Sequence, residues 1–318
     1  MTTSIAGIHH VTAIASEPRR NVRFFENELG LRLVKTTVNF DDPGTYHLYY
    51  GDDTGSPGTI LTFFPWVGAQ PGRAGTGMTM ATAFQVAPGS IDYWMERFAD
   101  RAFDFEAPVE RFGEKVLAFK DHDGMNLELV ETPLAVESRS VPGRASVAAG
   151  IPDASAIRGF HGVSLCVPGP EASARLLADT LGFQSEGESG KRFRFRAKGA
   201  TTGAYVDLLC QADEIVRGRS GAGTVHHVAF RAQSDEEQLA WRERLLSDGR
   251  HVTEVLDRNY FHSIYFREPG GVLFEIATDP PGFSADESVD ELGSNLKLPE
   301  WLEPRRESIA KRLPALRG

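Results

Sequence analysis

The stretch Ile8-His9-His10-Val11 near the start of the chain recurs as Val225-His226-His227-Val228 in its last third. A third element, Gly270-Gly271-Val272-Leu273-Phe274-Glu275, follows the second histidine doublet and places one acidic residue inside an apolar run. A carboxylate buried in such a run is costly unless it has a partner, and a divalent cation is a suitable one. Two histidines and one carboxylate form the ligand set of non-haem Fe(II) sites with open coordination positions. The sequence therefore predicts a metal site that includes this carboxylate.

Four related modules make up most of the chain, and each is predicted as a strand, a helix and several further strands. The distance from His227 to Glu275 is 48 positions and that from Ala81 to Glu128 is 47, so the second and fourth modules share one frame. The first and third modules begin alike, with an Ile-His-His-Val and a Phe-His-Gly-Val stretch. The approximate starts of the four modules are Ile5, Met78, Arg158 and Val225.

A helix is predicted after the first strand in modules one and three. Apolar residues recur at helical spacing from Val22 to Leu31 and from Glu171 to Phe183. Gly30 and Gly182 stand where such helices would end, because glycine adopts the left-handed conformation that closes a helix C-terminus.

These patterns predict an α+β fold of four βαβββ modules that form two domains with open curved sheets. We assign residues 1–140, with modules one and two, to an N-terminal domain and residues 155–290, with modules three and four, to a C-terminal domain. The Pro/Gly/Ala/Ser-rich stretch from Val141 to Asp153 is the predicted boundary. Residues 291–318 form a C-terminal tail, in which Trp301 to Leu313 are predicted to make a short helix that docks on the body.

Composition limits the possible partners and the compartment. The 318 residues carry a net charge of −10, which argues against nucleic acid or an anionic membrane as the main partner. Cys166 and Cys210 are too few for a disulfide scaffold and suggest a reducing cytoplasm. Neither a signal peptide nor an apolar run of membrane-spanning length is found in the sequence, so we expect a cytoplasmic protein. Assembly into a homo-oligomer is left open.

Ligands for a metal held between two packed modules would come from their first and last strands. The first-strand position is assigned to His10, Ala81, His161 and His227. The last-strand position is assigned to Thr62, Glu128, Asp207 and Glu275. His227 and Glu275 are then fixed ligands, and the third is His10 if module one faces module four, or His161 if module three does. The shared doublet favours His10.

The second histidine of each doublet needs a separate explanation. Neighbouring side chains in a strand point to opposite faces, so a ligand histidine and its neighbour cannot both point straight inward. His9 and His226 would reach the cavity where the strand bulges, or they would anchor the sheet by hydrogen bonding.

Several stretches carry a resemblance to a known family. They include Tyr46-His47-Leu48-Tyr49, Gly55-Ser56-Pro57-Gly58-Thr59, Arg158-Gly159-Phe160-His161 and Arg267-Glu268-Pro269-Gly270-Gly271-Val272. With the modules and doublets, they resemble the vicinal oxygen chelate superfamily, and more specifically its dioxygenases that open hydroquinone rings. The likeness runs from about Ile5 to Ala285.

The resemblance implies an Fe(II)-dependent, extradiol-type ring-cleaving dioxygenase, with Mn(II) as an alternative metal, whose partners are a small aromatic diol and O2. It implies that the metal ligands are His10, His227 and Glu275. It implies that the residues around them are His9, Thr12, His226, Arg258 and Tyr265. An ionised aromatic hydroxyl and O2 would bind at the metal, and the ring would open with both oxygen atoms incorporated.

Each surrounding residue has an expected role. His226 would serve as the acid–base group, since histidine titrates in the useful range. Tyr265 and Arg258 would orient the substrate oxygen and stabilise developing negative charge, while His9 would fix the ligand geometry. Candidate aromatic residues for the pocket wall are Phe261, Phe63 and Trp66.

Two other functions fit parts of the pattern. A glyoxalase-type isomerase or lyase would use the same scaffold, but it needs a second carboxylate near the metal, and the last strand of module one offers Thr62. A non-catalytic protein that binds an aromatic ligand is the other alternative, although such a binder has no need of an intact set of metal ligands.

Overall fold

A computed structural model of the protein describes residues 4–138, 140, 144–210 and 216–317. Module one contains β1 (Ile8–Ala15), β2 (Arg32–Val38), β3 (Tyr46–Gly51) and β4 (Ile60–Pro65). Module two contains β5 (Met78–Val86), β6 (Val109–Arg111), β7 (Glu114–Lys120) and β8 (Asn126–Glu131). Module three contains β9 (Phe160–Cys166), β10 (Gln184–Ser189), β11 (Arg192–Arg196) and β12 (Tyr205–Leu209). Module four contains β13 (Thr224–Ala232), β14 (Leu256–Asp257), β15 (Phe261–Arg267) and β16 (Leu273–Pro281).

The helices lie between these strands and after them. They are α1 (Pro18–Arg23), α2 (Ile91–Asp100), α3 (Leu134–Glu137), α4 (Arg144–Ala148), α5 (Pro170–Arg175), α6 (Asp235–Ser247) and α7 (Arg306–Arg312). π-helical turns at Phe24–Glu28 and Leu176–Thr180 continue α1 and α5. Short 3-10 turns occur at Asp153–Ser155, Phe283–Ala285 and Glu303–Arg305.

Two eight-stranded sheets form the body, and each one combines two modules. The first has the order β14-β15-β16-β13-β1-β4-β3-β2 and so joins module four to module one. The second has the order β10-β11-β12-β9-β5-β8-β7-β6 and joins module three to module two. In both sheets the first strands of the paired modules run antiparallel at the centre. The predicted α+β fold of four modules with open curved sheets is confirmed.

The assignment of residues 1–140 and 155–290 to two separate domains stays a prediction from the sequence. Each sheet takes four strands from each half, so neither half forms a sheet alone. The first residues of the predicted boundary, Val141-Pro142-Gly143, lie outside the described residues. The rest of that stretch contains the short helix α4 and the beginning of the turn at Asp153–Ser155.

The predicted helices of modules one and three are present, with earlier starts. The first begins at Pro18, where the Glu17 side chain accepts hydrogen bonds from two free N–H groups of the first turn. It buries Val22 and continues as a π turn, as the corresponding helix of module three does. Gly30 and Gly182 have φ angles of +70° and +78°, which confirms them as C-terminal stops.

The largest apolar cluster draws buried side chains from all four modules, so the two sheets share one core. Phe84 of β5 and Phe160 of β9 stack there with ring centroids 5.3 Å apart. In the described ranges, no helix is long and apolar enough to cross a membrane.

The C-terminal tail packs against β2, the edge strand of the first sheet. Thr36 forms a bridge with Leu296, and the predicted short helix is present as α7. The Lys35 side chain is fully buried, and its ammonium group lies 2.6 Å from Asp286 Oδ1 and 2.5 Å from Glu287 Oε2. This ion pair ties the segment before the tail to the strand next to it.

We expect Lys35→Met to lower the free energy of unfolding by about 3–5 kcal/mol, because it leaves the buried Glu287 carboxylate without its cation. Urea denaturation followed by circular dichroism would measure the change. Lys115→Met is the matched control, since Lys115 pairs with Asp92 at the exposed surface and should contribute no more than about 1 kcal/mol. Equal losses in the two variants would contradict this account of the tail.

Candidate metal centre

Three buried side chains from the two ends of the chain meet in the first sheet. Nε2 of His227 lies 2.9 Å from Oε2 of Glu275, and Nε2 of His10 lies 3.3 Å from the same oxygen. The two Nε2 atoms are 3.3 Å apart. Ligand atoms about 2.1 Å from a metal and at right angles to each other would be about 3.0 Å apart, so these spacings suit three adjacent coordination positions. Among the described residues, this is the one group of three or more such side chains that could hold a metal ion.

Each histidine doublet stands at a β-bulge where β1 pairs with β13. At His9, two residues of β1 pass for one residue of β13, so His9 is the extra residue in β1. At His226 the reverse holds, and His226 is the extra residue in β13. An extra residue in a bulge departs from strict alternation of side chains. Both strands therefore have the bulge that was one of the two explanations for the second histidines.

The second histidine of each doublet contacts the ring of the first. Nδ1 of His9 lies 2.9 Å from Nδ1 of His10, and Nδ1 of His226 lies 2.8 Å from Nδ1 of His227. With a metal bound at the Nε2 atoms of His10 and His227, the two neutral rings would carry hydrogen on Nδ1 and would donate it to the neighbouring histidine. Such donation orients a ligand imidazole and raises its basicity.

The Glu275 carboxylate is oriented by a single hydroxyl. Ser263 Oγ donates a hydrogen bond of 2.5 Å to Oε1. Oε2 is buried and accepts no well-directed hydrogen bond, although both imidazoles lie near it. A buried carboxylate oxygen left in this state beside two imidazole nitrogens fits a divalent cation.

The charge state of the group suits a cation as well. Burial opposes ionisation of Glu275, yet the adjacent His10 and His227 hold its pKa well below the usual range. Burial also lowers the pKa of His227, and burial together with His227 lowers the pKa of His226 to about 4. At neutral pH the centre therefore offers one carboxylate together with the uncharged imidazoles of His226 and His227.

A cavity of about 270 Å³ opens beside the three side chains. It is lined by His10, Asn39, Phe40, Asp41, His47, Tyr49, Phe64, Trp66, His226, His227, Arg258, Phe261, Tyr265 and Leu273. Phe261 and Trp66 line the cavity, which confirms their prediction as wall residues. Phe63 does not line it, so that prediction is wrong. Phe63 is fully buried against Phe25, with ring centroids 4.7 Å apart, and its neighbour Phe64 faces the cavity because side chains alternate along β4.

Tyr265 and Arg258 form one side of the cavity. The Tyr265 ring lies 5.7 Å from the His227 ring, and the Arg258 guanidinium lies 5.6 Å from the Tyr265 ring centroid. Burial and the Glu275 charge raise the pKa of Tyr265 well above its usual range, so its hydroxyl keeps its hydrogen. At the cavity mouth, Arg258 Nη1 lies 3.4 Å from Asp41 Oδ2.

Thr12, the remaining predicted site residue, lies behind the ligands and does not line the cavity. Its side chain is fully buried, its position pairs with His227 across the strands, and its hydroxyl accepts a hydrogen bond from Thr62 at 3.0 Å. Thr62 also contacts His47, which lies in the cavity wall. The sequence reasoning did not include Ser263, His47 or Tyr49 in the site. The signals for His47 and Tyr49 were their alternation in one predicted strand and their place in a stretch that carries the family resemblance.

The second sheet repeats this register without the ligands. Gly162 and Ala81 stand at the positions that the two ligand histidines occupy in the first sheet. Glu128 stands at the carboxylate position, and Arg111 Nη1 and Nη2 donate to it at 2.9–3.0 Å. A guanidinium therefore neutralises the buried carboxylate in this sheet.

The alternative that made His161 the third ligand is wrong. His161 is a bulge residue of the second sheet and corresponds to His9, whereas Gly162 corresponds to His10. The assignment of His161 to the first-strand ligand position was thus displaced by one residue. Its Nε2 lies 3.0 Å from Glu114 Oε2, and Glu114 has its pKa lowered to about 2 because the neighbouring His161 and Arg194 outweigh its burial.

Comparisons with known proteins agree with this architecture. MhqO of Bacillus subtilis (strain 168), whose name gives ring-cleaving dioxygenase as a provisional activity, is 46% identical over 316 residues, which cover 98% of this chain and 97% of that protein. The chlorohydroquinone/hydroquinone 1,2-dioxygenase of Sphingobium indicum is 31% identical over 314 residues, 96% of this chain and 95% of that protein. A crystal structure of a Bacillus subtilis protein, whose name gives dioxygenase as a provisional activity, has a TM-score of 0.90 and 43% identity, and the match covers 99% of both chains.

The same relation is visible at the level of the family. Residues 7–129 and 159–276 match the model of the Glyoxalase/Bleomycin resistance protein/Dioxygenase superfamily. These two ranges span most of the chain and contain the three side chains of the candidate metal centre. The resemblance found in the sequence is confirmed, and the chain belongs to the Glyoxalase/Bleomycin resistance protein/Dioxygenase superfamily.

Proposed function

We propose that the protein is an Fe(II)-dependent, extradiol-type dioxygenase that opens the ring of a hydroquinone- or catechol-type aromatic diol with O2. The observation that carries the proposal is the His10, His227 and Glu275 cluster at the wall of a cavity with aromatic walls. Relatives whose names assign or state ring-cleaving dioxygenase activity support the reaction class.

His10, His227 and Glu275 would hold the metal through two Nε2 atoms and one carboxylate oxygen. This donor set is that of Fe(II) sites which keep coordination positions open for other ligands, and it also accommodates Mn(II). Bound Fe(II) would supply the redox chemistry that lets O2 react with an electron-rich ring. The protein supplies the orientation of the ring, the exclusion of water and the position of hydrogen-bond donors.

The cavity supports a small, single-ring substrate. Its volume of about 270 Å³ is at the lower end of ligand pockets, which hold roughly 300–1,000 Å³. Phe40, Phe64, Trp66 and Phe261 give it flat apolar faces that suit an aromatic ring. The hydroquinone in the name of the Sphingobium indicum relative fits this description.

His226 would act on the substrate oxygen as the acid–base group. It lines the cavity, and with a metal on Nε2 of His227 the Nδ1 of His226 would accept the Nδ1 hydrogen of that ring. A neutral His226 ring therefore carries its own hydrogen on Nε2, where it can donate to an oxygen in the cavity. Burial and the neighbouring His227 lower the pKa of His226 to about 4, below the range expected from the sequence, so at neutral pH the uncharged ring would act as a hydrogen-bond donor to the substrate oxygen.

Tyr265 and Arg258 would stabilise negative charge on the substrate oxygen. Tyr265 keeps its hydroxyl hydrogen, and Arg258 brings a cation to the same side of the cavity. His9 and Thr12 would act from behind the ligands: His9 would accept a hydrogen bond from His10 once a metal occupies Nε2 of His10, and Thr12 lies opposite His227. Glyoxalase-type chemistry is less well supported, because Thr62 takes the place of a further carboxylate and is bonded to Thr12.

We expect the protein loaded with Fe(II) under anaerobic conditions to consume one O2 per molecule of hydroquinone or catechol once oxygen is admitted. Both oxygen atoms should appear in the ring-opened product when ¹⁸O2 is used, as mass spectrometry would detect. An oxygen electrode with each diol in turn measures the uptake, and Mn(II)-loaded protein tests the second metal. No oxygen uptake with any dihydroxybenzene would refute the proposal, and oxygen-independent turnover of a glutathione adduct would favour the glyoxalase alternative.

We expect His10→Ala and Glu275→Gln to bind Fe(II) at least about 10-fold more weakly than the unchanged protein, because each removes one of three donors. His161→Ala is the matched control, since His161 is a buried histidine near a carboxylate in the other sheet. Metal analysis after equilibrium dialysis would measure the affinities. Retention of metal by His10→Ala together with its loss from His161→Ala would reverse the assignment.

Ser263→Ala should weaken Fe(II) binding by about 10- to 100-fold without unfolding the protein, since Ser263 orients the Glu275 carboxylate. Ser173→Ala is a close control, because Ser173 is a buried serine that donates at 2.6 Å to the buried Glu268 away from the centre. Both variants lose one buried hydrogen bond to a carboxylate, so thermal unfolding should shift similarly in the two. If Ser173→Ala weakens metal binding as much as Ser263→Ala, the effect is not local.

A further inference from the structure

A chain of four hydrogen-bonded side chains crosses three neighbouring strands beside the candidate metal centre. The Tyr49 hydroxyl lies 2.8 Å from His47 Nδ1, and His47 Nε2 lies 2.8 Å from Thr62 Oγ1. Thr62 Oγ1 donates to Thr12 Oγ1 at 3.0 Å. Because β3, β4 and β1 are successive neighbours in the sheet, the chain links the cavity wall to the strand that carries His10.

The hydrogens in this chain can point in only one direction. Thr62 gives its single hydrogen to Thr12, so its oxygen must accept one from His47 Nε2. With hydrogen on Nε2, Nδ1 of the neutral His47 ring is an acceptor, and the Tyr49 hydroxyl must donate to it. Burial, followed by the nearby His10 and His227, lowers the pKa of His47 well below its usual range, which keeps the ring neutral.

The two ends of the chain have different surroundings. His47 and Tyr49 line the cavity, whereas Thr62 and Thr12 are fully buried behind it. The His47 ring packs against the rings of Tyr49 and Phe64, at centroid distances of 4.1 and 4.3 Å. Module one therefore presents His47 to the cavity as a flat ring whose two nitrogens are both occupied.

We propose, on the basis of the proposed function, that His47 is a positioning residue for ring cleavage. Its hydrogen bonds with Tyr49 and Thr62 hold the imidazole in one orientation, and the imidazole fixes the plane in which the substrate ring lies against module one. A ring flipped about its Cβ–Cγ bond would set carbon atoms against the Tyr49 and Thr62 hydroxyls and leave buried polar atoms unpaired. Reaction at a fixed centre depends on this alignment, since small misplacements of the reacting ring cost much of the rate.

Thr62 allows this role to be tested without touching the cavity. Thr62→Val keeps the volume of the side chain but removes the acceptor of His47 Nε2, whereas Thr62→Ser keeps the hydroxyl. For the Fe(II)-loaded protein with hydroquinone, we expect Thr62→Val to lower kcat/KM by about 10- to 100-fold at unchanged metal content. Thr62→Ser should stay within about 3-fold of the unchanged protein, because its hydroxyl restores the bond. Thr180→Val, which removes a hydroxyl bonded to Asp248 far from the centre, controls for a general loss of stability.

A second readout does not depend on turnover. In the ¹⁵N-histidine NMR spectrum of the Zn(II)-loaded protein, His47, identified by the loss of its signals in His47→Gln, should carry hydrogen on Nε2 alone at neutral pH. Thr62→Val should produce the other tautomer or broaden these signals, and Thr62→Ser should preserve them. Hydrogen on Nδ1 of His47 in the unchanged protein would overturn the proposal. A normal kcat/KM in Thr62→Val would also overturn it, and so would a lower kcat/KM that is explained by an equal loss of bound metal. If the unchanged protein takes up no oxygen, the proposed function is refuted instead. The NMR result would still decide the orientation of His47.

Discussion

The antiparallel pairing of β1 with β13 is the constraint on which the site depends. It joins the beginning of the chain to its last third and brings His10 and His227 to adjacent positions. A regular ladder would turn alternate side chains to the other face, so a doublet could contribute only one histidine. The bulges at His9 and His226 remove that limit, because each inserts one residue into one strand. The pairing and its two irregularities together make a centre with two layers of imidazole.

Burial of the Glu275 carboxylate imposes a second requirement on the same sheet. One oxygen receives the Ser263 hydroxyl, and the other faces the two imidazoles without a directed hydrogen bond. A cation that binds this folded arrangement, and not the separated ligands of the unfolded chain, would stabilise the fold by the free energy of its binding. A metal bound at this centre would then stabilise the sheet that joins modules one and four. Lys35 supplies the comparable neutralisation at the edge of the sheet, where it meets Asp286 and Glu287.

Features of the fold and the site could be predicted from the sequence where a local pattern repeats. Contacts that depend on strand register could not be predicted. The doublets and the acidic residue in an apolar run indicated all three side chains of the cluster, and the module repeat indicated the fold. His161 was misplaced because a single histidine cannot show which residue of a bulge it occupies. Phe63 was exchanged for its neighbour because alternation fixes two faces but not which face meets the cavity. Ser263 reaches Glu275 from two residues beyond its register partner Tyr265, a diagonal contact that no local pattern encodes.

The two sheets neutralise a buried carboxylate in different ways, and the difference explains why, among the described residues, only the first sheet has a group that could hold a metal ion. In the second sheet the Arg111 guanidinium binds Glu128 through two nitrogens, so both carboxylate oxygens are satisfied by a side chain that belongs to the protein. Gly162 and Ala81 provide no donors for a metal there. A divalent cation bound to two imidazoles and one carboxylate keeps coordination positions open, whereas a guanidinium keeps none. The scaffold is thus common to both sheets, and reactivity follows from the few positions at which they differ.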